Sequence, residues 1–180
     1  MPNTTYIGEG RWNSCNNCTR CESRRGVVLS RVGHVGDKLT ATKVLYIGDS
    51  PSSTDDIARL PFIGETGRFL NIIFNKVTVP HSFCITHLVS CYGELPTPQE
   101  IEACKPKLNE LIIYYKPQAI VFIGDKAKKY KTKLPTHTMS SISSIIVMEY
   151  PLYSVKEQAL LLSRFLHALS NTKANTQGHH

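Results

Sequence analysis

Two short apolar runs, KVLYIGD (Lys43–Asp49) and QAIVFIGD (Gln118–Asp125), close on the same Ile-Gly-Asp. Runs this short and this apolar, stopped by Gly, read as strands buried on both faces. FCITHLV (Phe83–Val89) and SIIVMEY (Ser144–Tyr150) read the same way. Between them the periodicity changes. In GETGRFLNIIFNKV, Leu70, Ile73, Phe74 and Val77 recur at helical spacing. TPQE, from Thr97, is a capping box with Pro at the first helical position. It opens a helix whose apolar face carries Ile101, Cys104, Leu108, Leu111, Ile112 and Tyr115. Pro106 inside that pattern predicts a kink or a split. VKEQALLLSRFLHALS (Val155–Ser170) is the last helix, with a frayed polar tail after Asn171. Strands alternating with helices predict an α/β fold with a parallel sheet covered on both faces. Such sheets bind ligands at the carboxyl ends of their strands. Three strand ends present polar or basic groups there: the loop from Gly48, Gly124 with the lysines after it, and Glu149–Tyr150–Pro151.

The 180 residues, 41% of them hydrophobic, suit one domain with a sizeable core, expected over 1–172 with a polar tail at 173–180. The segment up to Gly36 reads as a Cys-rich loop. No apolar stretch approaches the roughly 20 residues of a membrane span, and the N-terminus lacks the pattern of a secretory signal. A soluble, cytoplasmic, monomeric protein without membrane contact is expected. The net charge of +7 and pI near 9.1 favour a polyanionic partner. The basic residues cluster, early at Arg20, Arg24, Arg25 and Arg31, and again in KAKKYKTK, where Lys126, Lys128 and Lys129 are candidate DNA contacts.

Six cysteines are present, and CNNCTRC holds two overlapping CxxC pairs. A CxxC turn brings two thiolates together, as a metal or cluster requires. Cys91 and Cys104, around a Pro- and Gly-containing loop, supply two distant sulfurs. Cys84, inside a strand, reads as core. Thiolate-only coordination suits zinc or iron–sulfur, and spacing alone does not choose.

Taken in order, CTRCESRRGVV, KVLYIGDSP, LPFIGETGRFLN, ITHLVSCYGELPTPQEIEACKPKL and QAIVFIGDKA resemble the family-4, iron–sulfur uracil-DNA glycosylases. The resemblance runs from about Cys18 to Ala127, with a weaker echo at Tyr150–Tyr153. It implies a three-layer α/β/α sandwich around a mainly parallel sheet, and a [4Fe-4S] cluster on Cys18, Cys21, Cys91 and Cys104. Cys15 is then a spare able to substitute in the first pair, and zinc is the alternative metal. It implies a base pocket walled by Gly48, Asp49, Ser50, Pro51 and Ser52, with Asp49 helping to place the attacking water. Phe62 matches the aromatic that stacks on the flipped base. His87 stands where the family reads the uracil edge with Asn, and Tyr150 where a His supports the developing negative charge.

These departures bear on chemistry. An amide offers a donor and an acceptor side by side, whereas a neutral imidazole cannot present both on one edge. Replacing a paired polar reader costs large factors in discrimination. The expected function is a DNA glycosylase that flips a pyrimidine base and hydrolyses its N-glycosidic bond, with Asp49, His87 and Tyr150 as the catalytic candidates. The alternative is an inactive or redirected glycosylase-fold DNA-binding protein, serving repair, replication or base modification alongside proteins of those pathways.

Overall fold

The computed structural model describes residues 6–7, 12, 15–22, 24–36, 40, 42–130, 142, 144–148 and 155–176. The strands are β1 (Tyr6–Ile7), β2 (Ser30–Val35), β3 (Lys43–Gly48), β4 (His81–His87), β5 (Ala119–Ile123) and β6 (Ser144–Met148). The helices are α1 (Ser53–Ala58), α2 (Glu65–Phe74), α3 (Pro98–Tyr115), α4 (Asp125–Tyr130) and α5 (Val155–Thr176), with a 3-10 turn at Thr19–Glu22. The sheet order is β1-β2-β4-β3-β5-β6. The four strands β4-β3-β5-β6 run parallel, and β2 and β1 add antiparallel pairings at one edge.

Alternation along the central strands sorts the core into two layers. Val44 and Tyr46 of β3 face α2 and α5, packing with Leu70, Ile73, Leu162 and Leu166. Leu45 and Ile47 face α3 and α4, packing with Leu108, Leu111, Ala127 and Tyr130. Helices on both sheet faces make the expected three-layer α/β/α sandwich. Tyr46, Leu45, Ile47, Phe122 and Ile120 are all essentially inaccessible, so the parallel core accounts for the continuous apolar runs in the sequence.

The structure departs from the sequence expectations in three places. The segment before Gly36 is not all loop, because β2 pairs with β4 from Arg31↔Ile85 to Val35↔His81. Its alternation is muted by Arg31, Gly33 and His34, which is why it lacked a strand signature. Pro106 lies inside a single helix that runs unsplit from Pro98 to Tyr115. The capping box at Thr97 and Glu100 forms as read, with both reciprocal bonds present. The last helix continues past Ser170 to Thr176.

After β3 the chain returns through α1 and α2 to β4 on one side. From β4 it crosses back through α3 to β5 on the other side of β3. The loops leaving β3 and β5 therefore depart in opposite directions, and that divergence opens a crevice at their carboxyl ends.

Candidate functional site

A cleft of about 390 Å³ lies at that crevice, lined by the loop after β3 (Gly48, Asp49, Ser50, Ser52), Phe62, His87 at the end of β4, and Gly124 and Asp125 at the end of β5. The α1–α2 region contributes Asp55, Gly64, Glu65, Thr66 and Gly67. Pro51 is buried and is not among the lining residues. Asp125, Glu65 and Thr66 were not foreseen. The repeated Ile-Gly-Asp was the available signal for Asp125, since it places an Asp at the same point of two neighbouring strands.

Asp55 organises one wall. It is the N3 residue of α1, and its carboxylate closes a capping box by accepting from the Ser52 backbone N–H at 2.9 Å. The other oxygen accepts from the Ile63 and Gly64 backbone N–H groups at 2.8 and 3.3 Å. Those bonds hold the LPFIG turn, in which Phe62 has φ 57°. A bulky side chain in the left-handed region costs on the order of 1–3 kcal/mol, so the surroundings must impose it. Gly67 permits the turn, since a Cβ there would stand 1.7 Å from the Phe62 carbonyl oxygen.

The Phe62 ring stacks on His87, with centroids 4.6 Å apart and planes 11° from parallel. Both rings rest over Gly48, where a Cβ would come within 2.6 Å of Phe62 and 2.9 Å of His87. One face of the expected base-stacking aromatic is therefore already covered by the side chain expected to read the base edge. His87 is buried, its Nε2 is 4.0 Å from Asp55, and its Nδ1 has no hydrogen-bond partner among the described residues. Burial drives its imidazole down to about 3; Asp55 opposes that shift and Lys107 adds to it. The ring is neutral near physiological pH.

Asp49 sits on the opposite wall. Its Oδ1 accepts from the Ala127 backbone N–H at 2.7 Å, at the start of α4. Burial raises its carboxyl above the ordinary value; the Ala127 and Lys126 amides oppose this and Asp125 reinforces it. The expected water-placing carboxylate is thus also the anchor that ties α4 to β3. Lys126 is half-buried beside it, and Lys128 and Lys129 are exposed on the same short helix. The lining is acidic and neutral, a poor match to phosphate and a suitable one for an uncharged ring. Tyr150, Pro151, Lys131 and Lys133 lie outside the described residues.

Cys91, four residues past the end of β4, belongs to a further, smaller apolar cluster. Trp12, Val27, Leu29 and Cys91 form a small buried cluster against which Cys15 packs. The N-terminal segment is pinned there by Trp12 Nε1 donating to Glu110 at 2.8 Å and by the Val28 N–H donating to the Ser90 carbonyl at 2.7 Å. Arg20 donates to the Cys91 and Glu94 carbonyls and pairs with Glu100 at 3.1 Å. Arg24 donates to Cys91 Sγ at 2.9 Å. Burial raises the Cys18 and Cys91 thiols, and Cys104 pushes both further the same way. Lys107 is buried on α3 with no hydrogen-bond partner at Nζ among the described residues, and burial lowers its ammonium while Cys104, Cys91, Cys84 and Cys15 oppose that. Cys84 is wholly buried in β4, as a core residue should be.

No three His, Cys, Asp or Glu stand as a ready metal cage among the described residues. The donor chemistry nonetheless fits a thiolate-bound group. Such a group is net anionic, and an unpaired buried ammonium and a guanidinium already face the sulfurs.

The model of the Uracil DNA glycosylase superfamily matches residues 35–171. The chain belongs to that superfamily. It is 27% identical over 136 residues to a type-4 uracil-DNA glycosylase of Saccharolobus solfataricus, covering 73% of this chain and 60% of that protein. It is 25% identical over 154 residues to one of Sulfurisphaera tokodaii, covering 83% and 67%, and 28% identical over 115 residues to one of Pyrobaculum aerophilum, covering 62% and 56%. The chain thus spans little more than half to two thirds of the length of these relatives. The family resemblance and the sandwich fold expected from the sequence both hold. Among the described residues, no helix is long and apolar enough to cross a membrane.

Proposed function

We propose that this chain binds a pyrimidine base flipped out of DNA into the cleft between Asp49 and the Phe62–His87 stack, and hydrolyses its N-glycosidic bond. The observation that carries this is a crevice at the switch point of a superfamily fold, with the half-buried Asp49 carboxylate on one wall and an aromatic on the other. Asp49 retains a second oxygen for water or for the oxocarbenium-like sugar. Ser50, Ser52 and backbone groups of the Gly48 loop are donors within the cleft for the leaving base. Tyr150 is assigned the role of supporting the base anion, and Lys126, Lys128 and Lys129 that of holding the DNA backbone. The chain is proposed to act as one domain over 1–172 and as a monomer, with repair or replication proteins as further partners. A sulfur-bound group, [4Fe-4S] before zinc, is assigned to Cys18, Cys21, Cys91 and Cys104, with Cys15 able to substitute in the first pair. When bound it would tie that run to the β4–α3 loop.

The test is an excision panel on oligonucleotides carrying uracil and modified pyrimidines, in single and double strands. Base loss from at least one substrate is expected. Asn at Asp49 can still accept from Ala127 but lacks the charge, so Asp49→Asn should keep the fold and lower the rate roughly 100-fold. No abasic product on any substrate would sink the hydrolase assignment.

A second function, base binding without cleavage, is favoured by the neutral His87 ring lying against Phe62 and by the Asp49 bond to α4. It predicts tight, salt-sensitive DNA binding with the base intact.

A further inference from the structure

A second concavity, of about 140 Å³, opens between the start of α3 and α4. Pro96, Pro98 and Ile101 form one wall, and Lys126, Lys129 and Tyr130 the other. Both walls are held in place by their own elements. Two prolines fix the backbone on either side of Thr97, whose capping box with Glu100 locks the first turn of α3. The other wall is tied to β3 by the Ala127 bond to Asp49. The concavity adjoins the cleft along α4, because Asp125 lines the cleft and Lys126 lines the concavity.

The lining indicates what it takes. Pro96, Pro98, Ile101 and the Tyr130 ring supply apolar surface, and Lys126 and Lys129 supply two cations. Tyr130 is 2% exposed, yet its hydroxyl has no hydrogen-bond partner among the described residues. Burial, reinforced by Glu102, pushes that phenol up to about 12, so it stays protonated at neutral pH and can donate. A buried hydroxyl left unpaired costs free energy that a ligand can return. Apolar walls, one buried donor and adjacent cations suit a ring joined to a phosphate. A cavity of about 150 Å³ holds a benzene-sized ring, so this space fits a pyrimidine better than a purine.

The geometry points to a second nucleotide subsite at this place, where the base of a nucleotide adjoining the flipped one packs between Ile101 and Tyr130 while its phosphate meets Lys126 and Lys129. This rests on the cleft reading proposed above and adds a sequence context to it, a pyrimidine beside the target base. Tyr130 reads that neighbour through its hydroxyl, and Ile101 supplies the surface on which the ring lies.

Binding to the full chain is measured by fluorescence anisotropy, with single-stranded oligonucleotides carrying one 2′-fluorinated, non-hydrolysable deoxyuridine. The bases on each side of it are deleted one at a time. One flanking position should cost about tenfold in affinity and the others less than about threefold. Ile101→Trp, which fills the concavity, should weaken binding of the intact oligonucleotide by a similar factor and abolish the dependence on that position. Tyr130→Phe keeps the ring and should lower the preference for a pyrimidine over a purine there by at least about threefold. That variant decides the matter where Ile101→Trp fails to fold. A flat profile across the flanking positions, or the wild-type profile and preference retained in both variants, overturns the subsite. Base loss from plain uracil oligonucleotides would then leave the cleft reading standing. One sensitive flank without base loss from those oligonucleotides keeps the subsite and removes the hydrolysis. No binding to any oligonucleotide overturns both.

Discussion

The cleft and the sulfur patch both bury charge, but they compensate it in opposite ways. In the cleft the buried Asp55 and half-buried Asp49 carboxylates are answered by the chain's own backbone. Asp55 collects the Ser52, Ile63 and Gly64 amides, and Asp49 takes that of Ala127. At the patch the buried charge is a cation, Lys107, with no hydrogen-bond partner among the described residues, and the groups around it are thiols. The first region is preorganised by folding alone. The second leaves a buried ammonium among thiols, which would carry negative charge if they bound a metal. Lys107 also reaches both sites, since its charge opposes protonation of His87.

The largest effect expected of this contrast is a pH dependence. The folded-state value of His87 is about 3, below the ordinary 6.5. In the unfolded chain the ring binds a proton as pH falls below 6.5, while the folded chain resists until about 3. Stability should therefore fall with acidification across that window, at up to about 1.4 kcal/mol per pH unit from this group. Urea melts of wild type and His87→Gln over pH 7 to 4 measure it. Equal slopes in the two proteins would show that His87 is not held neutral.

Next in size is Asp55→Ala, which removes one half of a capping box and leaves the Ile63 and Gly64 amides unanswered. A loss of about 3 kcal/mol is expected. A loss under about 1 kcal/mol would mean that the LPFIG turn is held by something else.

The patch should behave oppositely. In metal-free protein, Lys107→Met removes an unpaired buried charge and should raise stability by about 1–2 kcal/mol. In metal-loaded protein the same change should bring no gain. A gain of equal size in both states would erase the distinction between the two regions. The smallest effect is at the exposed lysines, where Lys128→Ala with Lys129→Ala should weaken DNA binding and reduce the salt dependence by about one unit per charge lost.

Much of this was legible in one dimension. The short apolar strands, the TPQE cap and the carboxyl-end location of the cleft follow from period, local hydrogen bonding and chain direction. Each is settled by neighbouring residues or by burial on both faces. β2 was illegible because a strand carrying Gly33 and His34 has no clean alternation. Its pairing with β4 is fixed by register across the sheet.

The sequence by itself determined the α/β class, the superfamily and the residue types available for chemistry, because these depend on pattern and composition. Only the tertiary structure decided what those residues face. Phe62 and His87 are 25 positions apart, and they stack because β3 and β4 are paired at Gly48↔His87 and the LPFIG turn folds back over them. Asp49 becomes the anchor of α4 because β5 is its parallel neighbour.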